Sequence, residues 1–152
     1  MTEQRAQRRV ELVEWHRAEA DIRAIRETVF VYEQRVPVDL EWDGLDASCA
    51  HVLAWNESGE AIGTARMQPN GTIGRMAVLK AWRGRGVGRA LLQTLLDLAV
   101  SHGLPQVTLS AQTHAIGFYE RAGFHTVGEP FMDAGIPHRK MVRELTMPQT
   151  TW

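Results

Sequence analysis

One cysteine, Cys49, stands in 152 residues. No disulfide can form within such a chain, which fits a reducing cytoplasm. Neither sign of charge dominates: 17 Lys and Arg face 18 Asp and Glu, a formal net charge of −1. Nothing global therefore recruits nucleic acid or an anionic membrane. Long apolar runs are missing too. The most apolar stretch, residues 90–100, is interrupted by Gln93, Thr94 and Asp97 and is too short to span a bilayer. Residues 1–10 are polar and Arg-rich with no apolar run behind them, unlike a secretory leader. The six histidines lack H-E-x-x-H or any comparable ligand spacing, so no metal is implied. Internal repeats, low-complexity segments and shifts of composition are absent as well. One domain over residues 1–152, with a core of about 8–146, is expected, large enough to bury roughly 68–70% of its unfolded surface unaided.

The patterns that are present alternate between the two regular periods. Val10, Leu12 and Glu14 alternate with Val13 and Trp15, predicting a strand around 8–16. Ile22, Ile25, Val29 and Tyr32 recur at helical spacing, so an amphipathic helix is expected over 18–35, ended by Pro37. Residues 39–46 read as an acidic irregular loop. Strands over 51–56, 61–68 and 72–78 follow, the last two joined by Pro69-Asn70-Gly71, an Asn-Gly hairpin signal. Val87, Leu91, Leu95 and Leu98 mark one face of a long helix closed by Gly103 and Pro105. A strand over 106–111, a helix over 114–122, and strands over 124–129 and 139–145 complete the chain. The order predicts an α/β domain, a mixed sheet with helices on both faces.

The densest chemical signal is Arg83-Gly84-Arg85-Gly86-Val87-Gly88-Arg89, at the entry of the longest helix. Helix N-termini leave backbone N–H groups unpaired and carry partial positive charge, and glycines let an anion approach them. The arginines add charge-assisted donors. The stretch reads as a pyrophosphate cradle; the alternative is a helix-entry loop with solvated arginines. A P-loop would require Gly-Lys-Ser/Thr where Gly88-Arg89-Ala90 stands. A dinucleotide fingerprint would require G-x-G-x-x-G directly after a parallel strand.

Gly74-Arg75-Met76-Ala77-Val78 followed by residues 83–88 resembles the acyl-CoA site of the GNAT superfamily, with its R/Q-x-x-G-x-G/A pattern. Phe118-Tyr119-Glu120-Arg121-Ala122-Gly123-Phe124 is similar to that superfamily's F-Y-x-x-x-G-F signature. Residues 29–37 and 110–115 resemble its ElaA/YjcF-like subgroup. The likeness covers roughly residues 20–145. It implies a GNAT-like fold with a mixed, mostly antiparallel sheet, and an acetyl-CoA-dependent N-acetyltransferase acting on a primary amine by direct transfer. A non-catalytic acyl-CoA-binding or sensing domain is the second reading.

Residue by residue, the resemblance implies that Met76, Ala77 and Val78 pair with the pantetheine arm. Arg83, Gly84, Arg85, Gly86, Val87, Gly88 and Arg89 would hold the pyrophosphate. The strands over 72–78 and 106–111 would splay apart to admit the thioester. Tyr119 would protonate the leaving thiolate, a task suited to a phenol of pKa about 10 beside a thiol of about 8.5; packing of the short helix is its alternative role. The Val78 N–H would face the oxyanion. His138, in Ala134-Gly135-Ile136-Pro137-His138, resembles the catalytic histidine element of glyphosate-type N-acetyltransferases and would deprotonate the amine, unless it is a turn histidine. His114 is expected at the cofactor edge, and Glu33, Gln34 and Gln112 in the acceptor pocket. The acidic run Asp39, Glu41, Asp43 and Asp46 either attracts a cationic amine or is a solvated loop. Trp42 and Trp55 either line the acceptor pocket or pack in the core, and Cys49 reads as core. A small-molecule or peptide amine is the expected partner, and family habit implies a homodimer.

Overall fold

The computed structural model describes residues 9–145; residue 8, residue 146 and the other ends of the expected domain lie outside the described residues. β1 (Arg9–Val13) stops short of the expected limit because Trp15 already opens α1 (Trp15–Arg26). Trp15, Ala18, Ile22 and Ile25 are buried at helical spacing and give α1 its inner face. The periodicity of residues 18–35 is not one α-helix: from Glu27 to Glu33 the chain widens into a π-helix. It ends where Arg35 takes a left-handed backbone (φ 64°), ahead of Pro37. Segments of π-helix are frequent at functional sites, and this one borders the cleft described below.

After a short α2 (Val38–Glu41) and a 3-10 turn at Asp46–Ser48, three strands form the expected meander. They are β2 (Ala50–Trp55), β3 (Ala61–Met67) and β4 (Ile73–Val78), in a sheet ordered β1-β2-β3-β4 with antiparallel pairing throughout. Alternation along β2 sends Val52 and Ala54 to one face and Leu53 to the other. Leu53 and Ala77 meet α1. Val52 and Ala54 meet α3 (Val87–Ser101), whose Val87, Leu91, Leu92, Leu95, Leu96 and Ala99 are buried. Each such large side chain contributes about 1.5–3 kcal/mol of burial. Helices thus cover both faces.

β5 (Gln106–Gln112), α4 (Ile116–Arg121), β6 (His125–Asp133) and β7 (Ile136–Glu144) follow. A 3-10 turn over Thr113–Ala115 precedes α4 where one helix is expected from 114. β6 and β7 run past the expected limits, through Pro130 and Pro137. Pro is tolerated in edge strands and at strand starts, and β6 is the outer strand of the order β5-β7-β6 while Pro137 is the second residue of β7.

The sheet is mixed only at one point. β4 and β5 run parallel, yet their sole pairing among the described residues is the bridge Thr72–Thr108, supported by Thr108 N–H donating to Gly71 O at 3.0 Å. Gly71 has φ 92°, and a Cβ there would lie 2.9 Å from the Gln106 carbonyl oxygen. Only glycine fits. Beyond this seam the two sheets part, leaving a V-shaped gap between β4 and β5.

Candidate functional site

β4 presents backbone to the gap. Leu79 N–H donates to Ile62 O at 2.9 Å, and Val78 stands opposite Gly63. In an antiparallel ladder alternate residues turn their polar groups to opposite sides, so Val78 directs its N–H and carbonyl away from β3. Its carbonyl accepts a 2.9 Å bond from Arg83 Nε. Below it the register shifts at Arg75, which has φ 50°. Such a bulge re-aims a side chain: Arg75 reaches back to the carbonyls of Leu40 and Glu41.

The glycine-rich turn sits at the head of the gap. Gly84 (φ 76°) and Gly86 (φ 83°) are left-handed, and the first bond of α3 is Ala90 N–H to Gly86 O at 3.1 Å. The N–H groups of Val87, Gly88 and Arg89 precede that bond and lack carbonyl partners, as at any helix start. A Cβ on Gly88 would stand 3.4 Å from the Phe118 ring. Arg89 is exposed and has no bond or ion pair among the described residues. Arg85 lies over the Trp82 ring at 4.9 Å. Arg83 differs: its guanidinium is gripped by Glu33 through bonds of 2.5 and 2.8 Å. That bond holds the Glu33 carboxyl below its ordinary value. Two residues expected to bind different substrates therefore bind each other.

Tyr119 enters the gap from the opposite side. Its ring meets Phe118 and Phe124 edge-on, and its hydroxyl donates only to the Met76 sulfur, at 3.7 Å. Burial pushes the phenol up to about 12, so it stays protonated at neutral pH. A thioether is a weak acceptor; a sulfur with more negative charge would take this proton donor from it.

A row across the second sheet forms the other wall. Phe131 stands opposite His138 on β7, and His138 opposite Gln112 on β5, so the three side chains share a face. The Phe131 and His138 rings stack at 5.9 Å. His138 is buried, and its Nδ1 lies 2.7 Å from the Ile136 carbonyl oxygen. A carbonyl only accepts, so Nδ1 carries hydrogen and Nε2 is left as the acceptor. Gln112 and Gln34 exchange amide bonds of 2.9 and 3.2 Å, joining β5 to the end of the π-helix.

One cleft of about 880 Å³ connects these parts. Met76, Ala77, Val78, Arg83, Gly84, Gly86, Val87, Gly88 and Arg89 line it, as do His114, Tyr119, His138, Glu33, Gln34 and Gln112. Arg85 is absent from its wall. The cleft also takes in Gln68 and Asp133, for which only strand register gives a signal, and Ser110 and Phe118, which the 110–115 stretch and the F-Y signature already contain.

Three further expectations are corrected. Asp43 and Asp46, taken as either solvated or amine-attracting, are ion-paired with arginine: Asp46 with Arg26 at 2.6 Å and Arg66 at 2.8 Å, Asp43 with Arg66 and Arg75. Glu41 is buried against Arg26 at 2.7 Å; of the run only Asp39 is exposed without a partner. Of the two places open to the tryptophans the cleft is excluded for both: Trp55 packs against the core cluster under α1, with Arg9 over its ring, and Trp42 packs on Arg23 and Arg26. Cys49 is half-buried and not in the core; burial pushes its thiol up, away from nucleophilic use. Among the described residues no helix is long and apolar enough to cross a membrane, and no group of three or more His, Cys, Asp and Glu could hold a metal ion.

The family model for an acetyltransferase (GNAT) domain matches residues 16–145. YjcF of Bacillus subtilis strain 168, an uncharacterized N-acetyltransferase, is 37% identical over 123 residues, 79% of this chain and 88% of that protein. Protein ElaA of Escherichia coli K12 is 33% identical over 151 residues, 88% of this chain and 98% of its own length. The crystal structure of Escherichia coli ElaA superposes with a TM-score of 0.81 at 30% identity, covering 90% of this chain and 99% of that one. An acyl-CoA N-acyltransferase from Pseudomonas aeruginosa gives 0.79 at 32% identity, over 90% and 99%.

Proposed function

The chain belongs to the GNAT acetyltransferase family, and from that premise we propose that it transfers the acetyl group of acetyl-CoA to a primary amine by direct attack within a ternary complex. The observation that carries this reading is the gap itself. It opens between two parallel strands, has an unpaired glycine turn at its head, an outward N–H at Val78 and a half-buried phenol facing it. Pantetheine amides entering such a gap find backbone partners on β4, and the turn with Arg89 fits a pyrophosphate. Arg83 serves through Glu33 and Val78, holding the turn against the gap. Arg85, His114 and the edge of α3 are left for the nucleotide end.

The chemistry follows from three positions. His138 Nε2 accepts the proton of the acceptor ammonium, its tautomer fixed from Ile136. The free amine attacks the thioester carbonyl carbon while the Val78 N–H faces the oxygen on which charge develops. The C–S bond breaks and Tyr119 gives its proton to the departing sulfur; the nitrogen's second proton, lost as the neutral acetamide forms, passes through water to restore the phenol. A single domain suffices for all three roles.

Calorimetry with acetyl-CoA, followed by thiol release against a panel of amines, tests the reading. Micromolar binding with amine-dependent release of coenzyme A is expected. Binding without turnover on any amine leaves a sensing domain in its place, and no binding at millimolar cofactor removes both.

A further inference from the structure

The charges of the cleft leave one carboxylate over. Glu33 is matched to Arg83. Glu41 and the cleft-lining Arg66 and Arg75 belong to a set completed by Arg26, Asp43 and Asp46, three cations against three anions. Arg89 has no partner, but it stands at the phosphate turn, where the co-substrate's own negative charge is expected. At the acceptor end Asp133 alone lines the cleft, is exposed, and has neither hydrogen bond nor ion pair among the described residues.

Its position relative to His138 is fixed by the β6–β7 register. Asp133 stands opposite Ile136, two pairs nearer the hairpin turn than Phe131 opposite His138. Side chains two apart on a strand share a face, about 7 Å apart along it. Asp133, Ile136 and His138 therefore line one side of the cleft, the carboxylate and the imidazole diagonal to one another across the hairpin with Ile136 beside both. Ala134, which also lines the cleft, occupies a left-handed turn position (φ 51°) that asparagine or glycine would fill more comfortably. The small residue leaves the mouth beside Asp133 open.

We propose that Asp133 selects acceptors carrying a second ammonium group, so that the substrate class is the linear diamines and longer polyamines. The reacting amine lies at His138, methylenes run past Ile136, and the distal ammonium rests against Asp133 at the mouth. The inference rests on the N-acetyltransferase reading with His138 at the acceptor end.

Competition between putrescine and butylamine, and between cadaverine and pentylamine, tests it through the ratio of kcat/KM within each pair. The wild type is expected to favour the diamine about tenfold, the scale of one charge-assisted contact. Asp133→Asn should bring the ratio near unity, Asp133→Lys should invert it, and Asp133→Glu should restore most of it. A ratio unchanged in Asp133→Asn, or a wild type that prefers the monoamine or acetylates neither diamine, overturns the proposal. Acetyl-CoA calorimetry on the same preparations judges the enzyme reading separately, since turnover of other amines with no diamine preference sinks this inference alone.

Discussion

Tyr119 illustrates how one side chain's surroundings decide its use. The residue is half-buried, its phenol is raised to about 12, and its hydroxyl is held by nothing stronger than a thioether. Such a group gives a proton only when strong negative charge appears beside it. Tyr119→Phe keeps both edge-on ring contacts and removes only the donor, so kcat should fall roughly a hundredfold while acetyl-CoA affinity stays within about twofold. Rapid-quench turnover beside calorimetry checks both, and equal losses in kcat and affinity would make Tyr119 a packing residue. Tyr119 could be read from the sequence because it lies within a contiguous signature. The Glu33–Arg83 pair could not, since 50 residues separate its members and neither is unusual where it stands. Asp133 is legible only after β6 and β7 are paired.

Among the elements, the segment from the π-helix through the 3-10 turn buries little of its apolar material, leaving Tyr32, Val38, Leu40 and Leu45 exposed, and is fastened by charge. Arg26 is 1% exposed and binds Glu41 and Asp46, and Arg66 binds Asp43 and Asp46. An arginine at the apolar spacing of α1 and another inside the apolar strand β3 were the available signs of buried partners. The acidic loop was misread because its cations lie in other elements. Removing one member of a buried pair leaves the other charge uncompensated. Arg26→Met should therefore cost ~3–5 kcal/mol in urea unfolding, whereas Glu19→Gln, which breaks the exposed pair with Arg23 alone, should cost within ~0.5 kcal/mol. Equal effects would refute a role for the buried set. The same groups set an acid limit. The Arg66 bond holds the Asp43 carboxyl well below its usual range. Burial alone would raise Asp46, but its bonds to Arg26 and Arg66 outweigh that and lower it. Burial also lowers His51. For all three the unfolded chain binds protons more readily, so their stabilisation is complete above the unfolded values, about 4 for Asp and 6.5 for His, and is lost as pH falls through the folded ones. Glu41, pushed up by burial, acts in the opposite sense and softens the fall. Unfolding free energy should decline from neutral pH towards pH ~3, and Asp43→Asn should flatten the lower part of that decline.

At the scale of the whole molecule, the site exists because two antiparallel sheets are joined at one end and nowhere else along β4 and β5. The meander, the long helix and its glycine entry were readable from period and punctuation, since these are local. The seam was not, because one parallel bridge between Thr72 and Thr108 leaves no trace in either strand's pattern. Gly71 holds that seam closed, and its replacement separates two costs. Gly71→Ala incurs the left-handed penalty of about 1–2 kcal/mol and also drives a Cβ to 2.9 Å from the Gln106 carbonyl oxygen. Gly59→Ala, with φ 83° and nothing within 4 Å, incurs the first cost alone. If the seam sets the opening of the gap, Gly71→Ala should be the less stable of the two in urea and should also weaken acetyl-CoA binding, about tenfold or more, while Gly59→Ala binds as the parent does. Equal stabilities would mean that β5 yields without strain. A destabilised Gly71→Ala with undiminished affinity would mean that the gap is held open from the helix side, by the packing of Phe118 against Gly88, and not from the bridge.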